Sequence, residues 1–209
     1  RAIERRLPSS GASFIPAARF TTVVILLLNA GFYAATALYS MKVTSGEFVM
    51  DVHPAVLEMF GAKSPQLMFG AGQWWRLITA GFLHGGILHI LMNSWVIFDL
   101  GTTVEEVYGT SRYLVLYFVT TICGFLASTW WSGALSVGAS AALFGLIGAM
   151  IAVGVKGTSP LASAMRAHYT QWAIWGLAIG FLPGFRTDNA AHLGGLASGF
   201  ALGYLIGTP

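Results

Sequence analysis

Apolar residues run in long stretches along most of this chain, separated by short segments that hold its polar and charged residues. Six stretches stand out: residues 19–40, 77–100, 113–131, 140–155, 171–182 and 190–206. A helix needs about 20 residues, with a range of about 17–25, to cross the hydrocarbon core of a bilayer. The pattern therefore predicts six membrane-spanning helices. The fourth and fifth stretches are short for full spans, so either the other helices shelter them or they extend past these boundaries.

The connection between the first two stretches, residues 41–75, is long and mixed in character. Connections beyond about 12–15 residues usually carry a function or structure of their own. Within it, residues 56–60 (VLEMF) have the pattern of an amphipathic helix that lies at the membrane interface. We therefore divide the chain into a basic N-terminal lead at residues 1–18 and a membrane domain at residues 19–209, whose first loop, 41–75, is structured.

Composition and charge agree with a membrane protein. Hydrophobic residues make up 56% of the chain and charged residues 9%, whereas an ordinary soluble domain is about 25% charged. The net charge of +3 comes from eleven scattered Lys and Arg that mostly flank apolar stretches, which argues against a nucleic-acid partner. The single cysteine, Cys123, lies inside an apolar stretch, so neither an internal disulfide nor a cysteine metal site is expected.

The Lys and Arg residues near the predicted spans indicate how the chain is oriented. With a cytoplasmic N-terminus, seven lie on the inner side: Arg1, Arg5, Arg6, Arg19, Arg112, Lys156 and Arg166. Four lie on the outer side: Lys42, Lys63, Arg76 and Arg186. We therefore expect both ends to be cytoplasmic, and the short basic lead best fits a protein of a prokaryotic inner membrane.

Polar side chains inside apolar stretches are candidate functional groups, because an unsatisfied polar group costs several kcal/mol in hydrocarbon. In HGGILHILMN, His89 and Asn93 are four residues apart and share one helix face, with His84 close by in sequence. Two donors aimed at one point stabilise an oxyanion by about 3 to 4 kcal/mol each. The alternative is interhelical hydrogen bonding, worth about 0.6 kcal/mol, and the spacing leaves both open.

Ser140, in GASAALFG, stands at the head of the fourth stretch. An isolated serine at such a position is most often a packing residue or a helix cap. Gly138 permits a sharp approach, however, and the N-terminus of a helix offers unpaired N–H groups and positive potential to an oxyanion. Ser140 is therefore a candidate nucleophile as well as a candidate packing residue.

His192 heads the last stretch, where glycines recur every four residues and leave one smooth face: Gly195, Gly199, Gly203 and Gly207. The fourth stretch has a matching face at Ala141, Gly145 and Ala149. If the two faces meet, Ser140 and His192 arrive side by side, as a nucleophile and its general base.

The sequence offers no well-placed carboxylate to orient the imidazole of His192. Asp188 lies four residues earlier, but its neighbours RTDNA have the composition of a loop. Phe144 shares a helix face with Ser140 and is expected to stack on the imidazole and fix its plane instead. No carboxylate or thiolate accompanies His84, His89 and His192 as a metal ligand, so no metal site is expected, and no cofactor is expected either.

Taken together, these motifs resemble the rhomboid family of intramembrane serine proteases. The resemblance runs from about residue 61 to residue 203 and rests on three motifs in the family's order: GAKSPQLMFGAGQWWRLITAGFLHGGILHILMN, GASAALFG and AHLGGLASG. It implies an all-α polytopic membrane protein, with a six-transmembrane-helix rhomboid-like bundle and a long structured first loop.

The resemblance also implies roles for individual residues. Ser140 is then the nucleophile and His192 its base, without an acid, and the Ser140 backbone N–H with the side chains of His89 and Asn93 forms the oxyanion hole. His84 matches another family histidine near the site.

The resemblance also bears on the first loop and on the residue after Ser140. Trp75 and Arg76 match a family pair that braces the first loop. Ala141 stands where the family usually has glycine, and its extra methyl bears on helix packing and on the oxyanion pocket.

The function implied is an endopeptidase that cleaves transmembrane or juxtamembrane segments of membrane-protein substrates at the non-cytoplasmic side of the lipid bilayer. One alternative is a catalytically inactive rhomboid-like protein that binds client transmembrane helices, although such proteins usually lack the serine or the histidine. Another is a small transporter or channel, which predicts charged residues deep in several spans where this chain has almost none. The sequence does not predict an oligomeric state.

Overall fold

The computed structural model describes residues 20–44, 51–182 and 187–208. The predicted lead at residues 1–18 lies outside the described residues, as do Arg19 and Arg186, which were used to predict the orientation. Within these ranges the regular structure is helical, apart from two isolated β-bridges. The long helices are α1 (Phe20–Val43), α5 (Ile87–Val96), α7 (Thr110–Trp131), α8 (Ser140–Lys156), α9 (Pro160–Ile179) and α10 (Asn189–Ile206). The short helices are α2 (Pro54–Phe60), α3 (Pro65–Ala71), α4 (Arg76–Thr79) and α6 (Thr102–Tyr108).

Three helical segments are long and apolar enough to cross a membrane: Phe20–Val43, Ile87–Tyr108 and Thr110–Trp131. The second of them consists of α5 and α6, joined by a π-helical segment at Ile97–Gly101. Helix α8 is a shorter apolar helix. The all-helical class with apolar helices is thus confirmed, and the count of six spans stays a prediction.

Two of the predicted stretches had wrong boundaries. The stretch at 77–100 was expected to be one helix, but residues 76–79 form α4, residues 80–82 form a 3₁₀ turn, and the long helix begins at Ile87 and continues to Tyr108. The stretch at 171–182 begins earlier, at Pro160, because the first half of α9 is a helix with polar residues that hydrophobicity alone does not detect.

Helix α8 lies at the centre of the bundle and packs against α7, α9 and α10. The predicted meeting of two small-residue faces is observed between α8 and α10. A Cβ built on Gly199 would overlap the carbonyl oxygen of Gly145, and one on Gly203 would lie 2.8 Å from Ala149 Cα. Only glycine on α10 allows the two backbones to approach this closely. Gly207 follows the end of α10 and does not belong to this face.

Buried hydrogen bonds attach α1 to the other helices. The carboxylate of Glu105, on α6, accepts from Thr22 Oγ1 at 3.0 Å and from Thr110 Oγ1 at 3.0 Å. It also accepts from the backbone N–H of Thr22 at 3.3 Å, in the first turn of α1. An anion near a helix N-terminus is stabilised by the free N–H groups and the helix dipole. Glu105 therefore fixes the start of α1 to the α6–α7 junction.

The first loop contains α2 and α3, and α4 follows it directly; the prediction that residues 56–60 are helical is confirmed. Val56 and Leu57 are buried inside the protein, whereas Met59 is exposed, and the position of this helix at the membrane interface stays a prediction. Val56 and Leu57 pack with Val52, Ala62 and Leu83 in a separate small core. The apolar face therefore stabilises the loop itself, since burying each such side chain contributes about 1.5–3 kcal/mol.

Candidate active site

Ser140 and His192 lie within hydrogen-bond distance of each other. Ser140 is the first residue of α8, and His192 lies in the first turn of α10. Their side chains approach to 2.9 Å between Ser140 Oγ and His192 Nε2. When Nε2 carries no proton, the Ser140 hydroxyl donates to it, which is the arrangement of a nucleophile and its general base.

The close contact of α8 and α10 explains this approach. A Cβ on Gly195 would overlap the carbonyl oxygen of Ala141, one residue after Ser140. The helix that carries His192 thus lies against the first turn of the helix that carries Ser140. The backbone packing near these two helix starts sets the distance between the two side chains.

The imidazole of His192 is held by an aromatic ring. Its centroid lies 4.3 Å from that of Phe144, with an interplanar angle of 13°, which is a stacked arrangement. His192 is 5% exposed, and its Nδ1 is buried without a hydrogen-bond partner among the described residues. The carboxylate of Asp188 is used elsewhere. It accepts from Ser128 Oγ and, at 3.0 Å, from the backbone N–H of Ala191.

Two side-chain donors converge on the turn that precedes Ser140. Gly138 has a φ of 128°, in the region that favours glycine. A Cβ there would lie 2.7 Å from His89 Nε2 and 3.6 Å from Asn93 Nδ2. His89 and Asn93 therefore both reach the Gly138 turn from α5, and glycine leaves the space that they occupy.

His84 contacts both His89 and Asn93. Its Nε2 lies 2.9 Å from Asn93 Nδ2, and its ring centroid lies 5.0 Å from that of His89. Burial, together with the nearby His89, lowers the pKa of His84 to about 3. His84 is thus neutral at physiological pH, and its Nε2 accepts a hydrogen bond from the Asn93 amide, which orients that amide.

The methyl group of Ala141 has a defined place in the structure. Ala141 is fully buried, and a Cβ on Gly124 of α7 would lie 2.9 Å from Ala141 Cβ. The absence of a side chain at Gly124 makes room for the methyl on α8. The alanine is therefore accommodated beside Ser140 without separating α8 from α10.

Trp75 is the last residue of the first loop, and Arg76 is the first residue of α4. Arg76 Nη1 donates to the carbonyl oxygens of Glu58, at 2.7 Å, and Ala62, at 2.9 Å. Its guanidinium lies 4.8 Å from the ring centroid of Trp75. Arg76 thus links α2 to α4 and braces the loop.

Three polar residues make contacts that the sequence did not predict: Lys63, Ser128 and Ser136. Lys63 is completely buried, and Ser128 bonds to Asp188. These contacts join parts of the chain that are distant in sequence, and no periodic pattern marks them. Within the described ranges, no cluster of three or more His, Cys, Asp or Glu side chains is arranged to hold a metal.

Comparison with known proteins identifies relatives of this chain. A family model described as the rhomboid domain matches residues 71–209. Rhomboid protease GluP of Bacillus subtilis (strain 168) is 37% identical over 153 residues, which is 73% of this chain and 30% of that protein. RHOMBOID-like protein 1 of Arabidopsis thaliana is 38% identical over 153 residues, 72% of this chain and 39% of that protein.

A third relative is aligned over more of its own length. Rhomboid-like protease 2 of Toxoplasma gondii is 36% identical over 176 residues, 82% of this chain and 62% of that protein. The chain therefore spans between 30% and 62% of the length of these three relatives. The family match and the apolar helices together indicate an integral membrane protein.

Proposed function

The chain belongs to the rhomboid family, and we propose that it is an intramembrane serine endopeptidase with Ser140 as nucleophile and His192 as general base. The observation that carries this proposal is the 2.9 Å separation of Ser140 Oγ and His192 Nε2. A base within about 2.6–3.2 Å of a hydroxyl is in position to take its proton.

The reaction follows from these two groups. His192 Nε2 removes the hydroxyl proton as Ser140 Oγ attacks the scissile carbonyl carbon. His192 then gives that proton to the leaving amine nitrogen as the C–N bond breaks, which leaves an acyl-enzyme ester. A water molecule that His192 deprotonates hydrolyses the ester and regenerates the Ser140 hydroxyl.

The negative charge that develops on the substrate carbonyl oxygen needs donors. The backbone N–H of Ser140 and the side chains of His89 and Asn93 are proposed to supply them. Support comes from the Gly138 turn, where both side chains converge two residues before Ser140. The helix N-terminus adds free N–H groups and positive potential at the same point.

The proposed substrates are transmembrane or juxtamembrane segments of other membrane proteins. A helical segment must unwind locally, because its carbonyl groups are otherwise hydrogen-bonded within the helix. We propose six spans in a cell membrane of prokaryotic type, a cytoplasmic N-terminus and a site that opens to the non-cytoplasmic side, where water reaches the acyl-enzyme. No cofactor takes part in this mechanism.

A cleavage assay tests the dyad. The purified protein in liposomes is incubated with a single-span substrate, and cleavage is compared among the wild type, Ser140→Ala, His192→Ala and Ser198→Ala. Ser198 is a matched control, because its hydroxyl donates only to backbone carbonyls within α10, those of Gly194 at 2.7 Å and Gly195 at 3.0 Å. We expect cleavage by the wild type and the control alone. Cleavage by either dyad variant would contradict the mechanism, and an intact substrate with the wild type would favour a client-binding protein.

A further inference from the structure

A completely buried lysine contacts the segment that leads to Ser140. Lys63, in the first loop between α2 and α3, is 0% exposed. Its Nζ donates to the carbonyl oxygens of Ala134, at 2.7 Å, and Ser132, at 3.3 Å. These two carbonyls belong to residues 132–139, which connect α7 to α8 and which we call the α7–α8 connection. The ammonium group thus holds the start of this connection.

The backbone of Lys63 holds the same connection further along. Its N–H donates to the carbonyl oxygen of Ser136 at 2.9 Å, and its carbonyl accepts from the Ser136 N–H at 3.1 Å. This is an antiparallel β-bridge. Only Val137 separates Ser136 from Gly138, where the turn meets His89 and Asn93. The first loop therefore fixes the path of the chain into the Gly138 turn.

A second charged residue, Asp188, fixes the start of α10, the helix that carries His192. It is the N-cap of α10, with a side-chain oxygen accepting from the N–H of Ala191 and its carbonyl accepting from the N–H of His192 at 3.0 Å. Its other carboxylate oxygen accepts from Ser128 Oγ, near the C-terminal end of α7. The N–H of Ser132 donates to the carbonyl of Ser128 at 2.8 Å. Asp188 is thus attached to the segment that Lys63 holds.

The two charged groups also act on each other. Burial would by itself raise the pKa of Asp188, but hydrogen bonds from Ser128, Ser136 and the Ala191 N–H, with the charge of Lys63, hold it below its usual value. Burial lowers the pKa of Lys63, and the Asp188 carboxylate opposes that shift. Each charge therefore offsets part of the desolvation that the other suffers.

We propose that Lys63 and Asp188 are coupled positioning residues. Through the α7–α8 connection they fix the Gly138 turn and the start of α10 relative to each other, and so hold Ser140 and His192 in position. This inference rests on the proposed dyad and adds two charged residues that touch neither substrate nor the reacting atoms. It explains why an intramembrane site without an acid keeps a carboxylate one helical turn from its histidine: the carboxylate orients the helix rather than the ring.

The test measures how fast a fluorophosphonate probe acylates Ser140, separated into the probe's binding constant and the maximal rate of acylation. The variants are Lys63→Met, Asp188→Asn and the double variant, with Lys156→Met as the matched control. Lys156 is an exposed lysine at the opposite end of α8, bonded to the Tyr204 carbonyl. Thermal unfolding in detergent shows which variants are folded. Asp188→Asn keeps a side-chain oxygen that can accept from the Ala191 N–H.

We expect each single variant to lower the maximal rate by about tenfold or more, because small misplacements of reacting groups are costly. The binding constant should stay unchanged. The double variant should lose less than the product of the two single losses, since removing both partners leaves no unpaired buried charge. If Lys63→Met does not fold, the rate and binding constants of Asp188→Asn decide alone.

Three results would overturn the inference: single variants acylated at the wild-type rate, an effect confined to the binding constant, or losses that multiply in the double variant. Failure of the proposed function has a different result, because a wild-type protein that the probe does not label at all contradicts the dyad itself.

Discussion

His192 presents Nε2 to Ser140, although its Nδ1 has no hydrogen-bond partner in the part of the chain that the structure describes. In an acid-containing triad a carboxylate on Nδ1 fixes the ring, whereas here Nδ1 is buried and unpartnered among the described residues. The plane of the ring is set by stacking on Phe144. Orientation by packing replaces orientation by a hydrogen bond.

Replacement of Phe144 tests this role. We expect Phe144→Leu to lower the cleavage rate by about tenfold, because the imidazole loses the surface that aligns it with Ser140 Oγ. Phe144→Tyr keeps a ring and should retain most of the activity. The rates come from the single-span cleavage assay, and equal activity of the Leu and Tyr variants would refute the stacking role.

The lowered pKa of Asp188 leads us to expect that stability depends on pH. A carboxylate with a lowered folded-state pKa stabilises the protein above its unfolded pKa, and this contribution is lost as the pH falls through the folded value. The usual value is 3.8 and the folded one is lower. The wild type should therefore exceed Asp188→Asn in free energy of unfolding near neutral pH, and the difference should shrink below about pH 4. Unfolding in detergent at several pH values measures this, and a difference that grows on acidification would contradict it.

At the scale of single elements, the helix pair α8–α10 was predicted most successfully from the sequence. A period of four in small residues is a local pattern, and it correctly indicated which faces meet. The boundaries of α5 and α9 were wrong, because hydropathy does not register a 3₁₀ turn or a polar helix half. The contacts of Lys63 with the α7–α8 connection depend on tertiary structure, which no local pattern encodes.

A side chain on Gly199 should separate these two helices. In Gly199→Ala the new Cβ overlaps the Gly145 carbonyl, and overpacking of this kind costs about 1–3 kcal/mol. We expect lower thermal stability and a loss of cleavage, because the displacement reaches Ser140 and His192. Gly31→Ala is the matched control, since Gly31 also lies in a long helix and has nothing within 4 Å of a Cβ. Equal stability of the two variants would refute close packing at this position.

At the scale of the whole molecule, segments outside the family match are attached to the matched domain by hydrogen bonds. The rhomboid domain begins at residue 71, yet α1 is attached to it through Glu105, and the first loop through Arg76 and Lys63. Segments before residue 71 therefore hydrogen-bond to the matched domain, and we propose that the active site depends on them.

The bond between α1 and the domain makes a prediction about stability. Glu105→Gln should lower the free energy of unfolding by about 2 kcal/mol, since hydrogen bonds to a charged group are worth about 1.5–3 kcal/mol. Thr103→Ala is a control on the same helix, because the partners of its hydroxyl are Asp99 O, at 3.1 Å, and the Tyr169 side chain of α9. Denaturation in mixed micelles measures both variants, and a Glu105→Gln protein as stable as the control would exclude this role.

The most direct test of the proposed dyad is to map the adduct of a fluorophosphonate probe by mass spectrometry of the intact protein and its peptides. We expect one adduct, on Ser140, that forms in the wild type and in Ser198→Ala but not in His192→Ala. An unlabelled wild type, or labelling of Ser140 that is equally fast without His192, would contradict the proposed dyad.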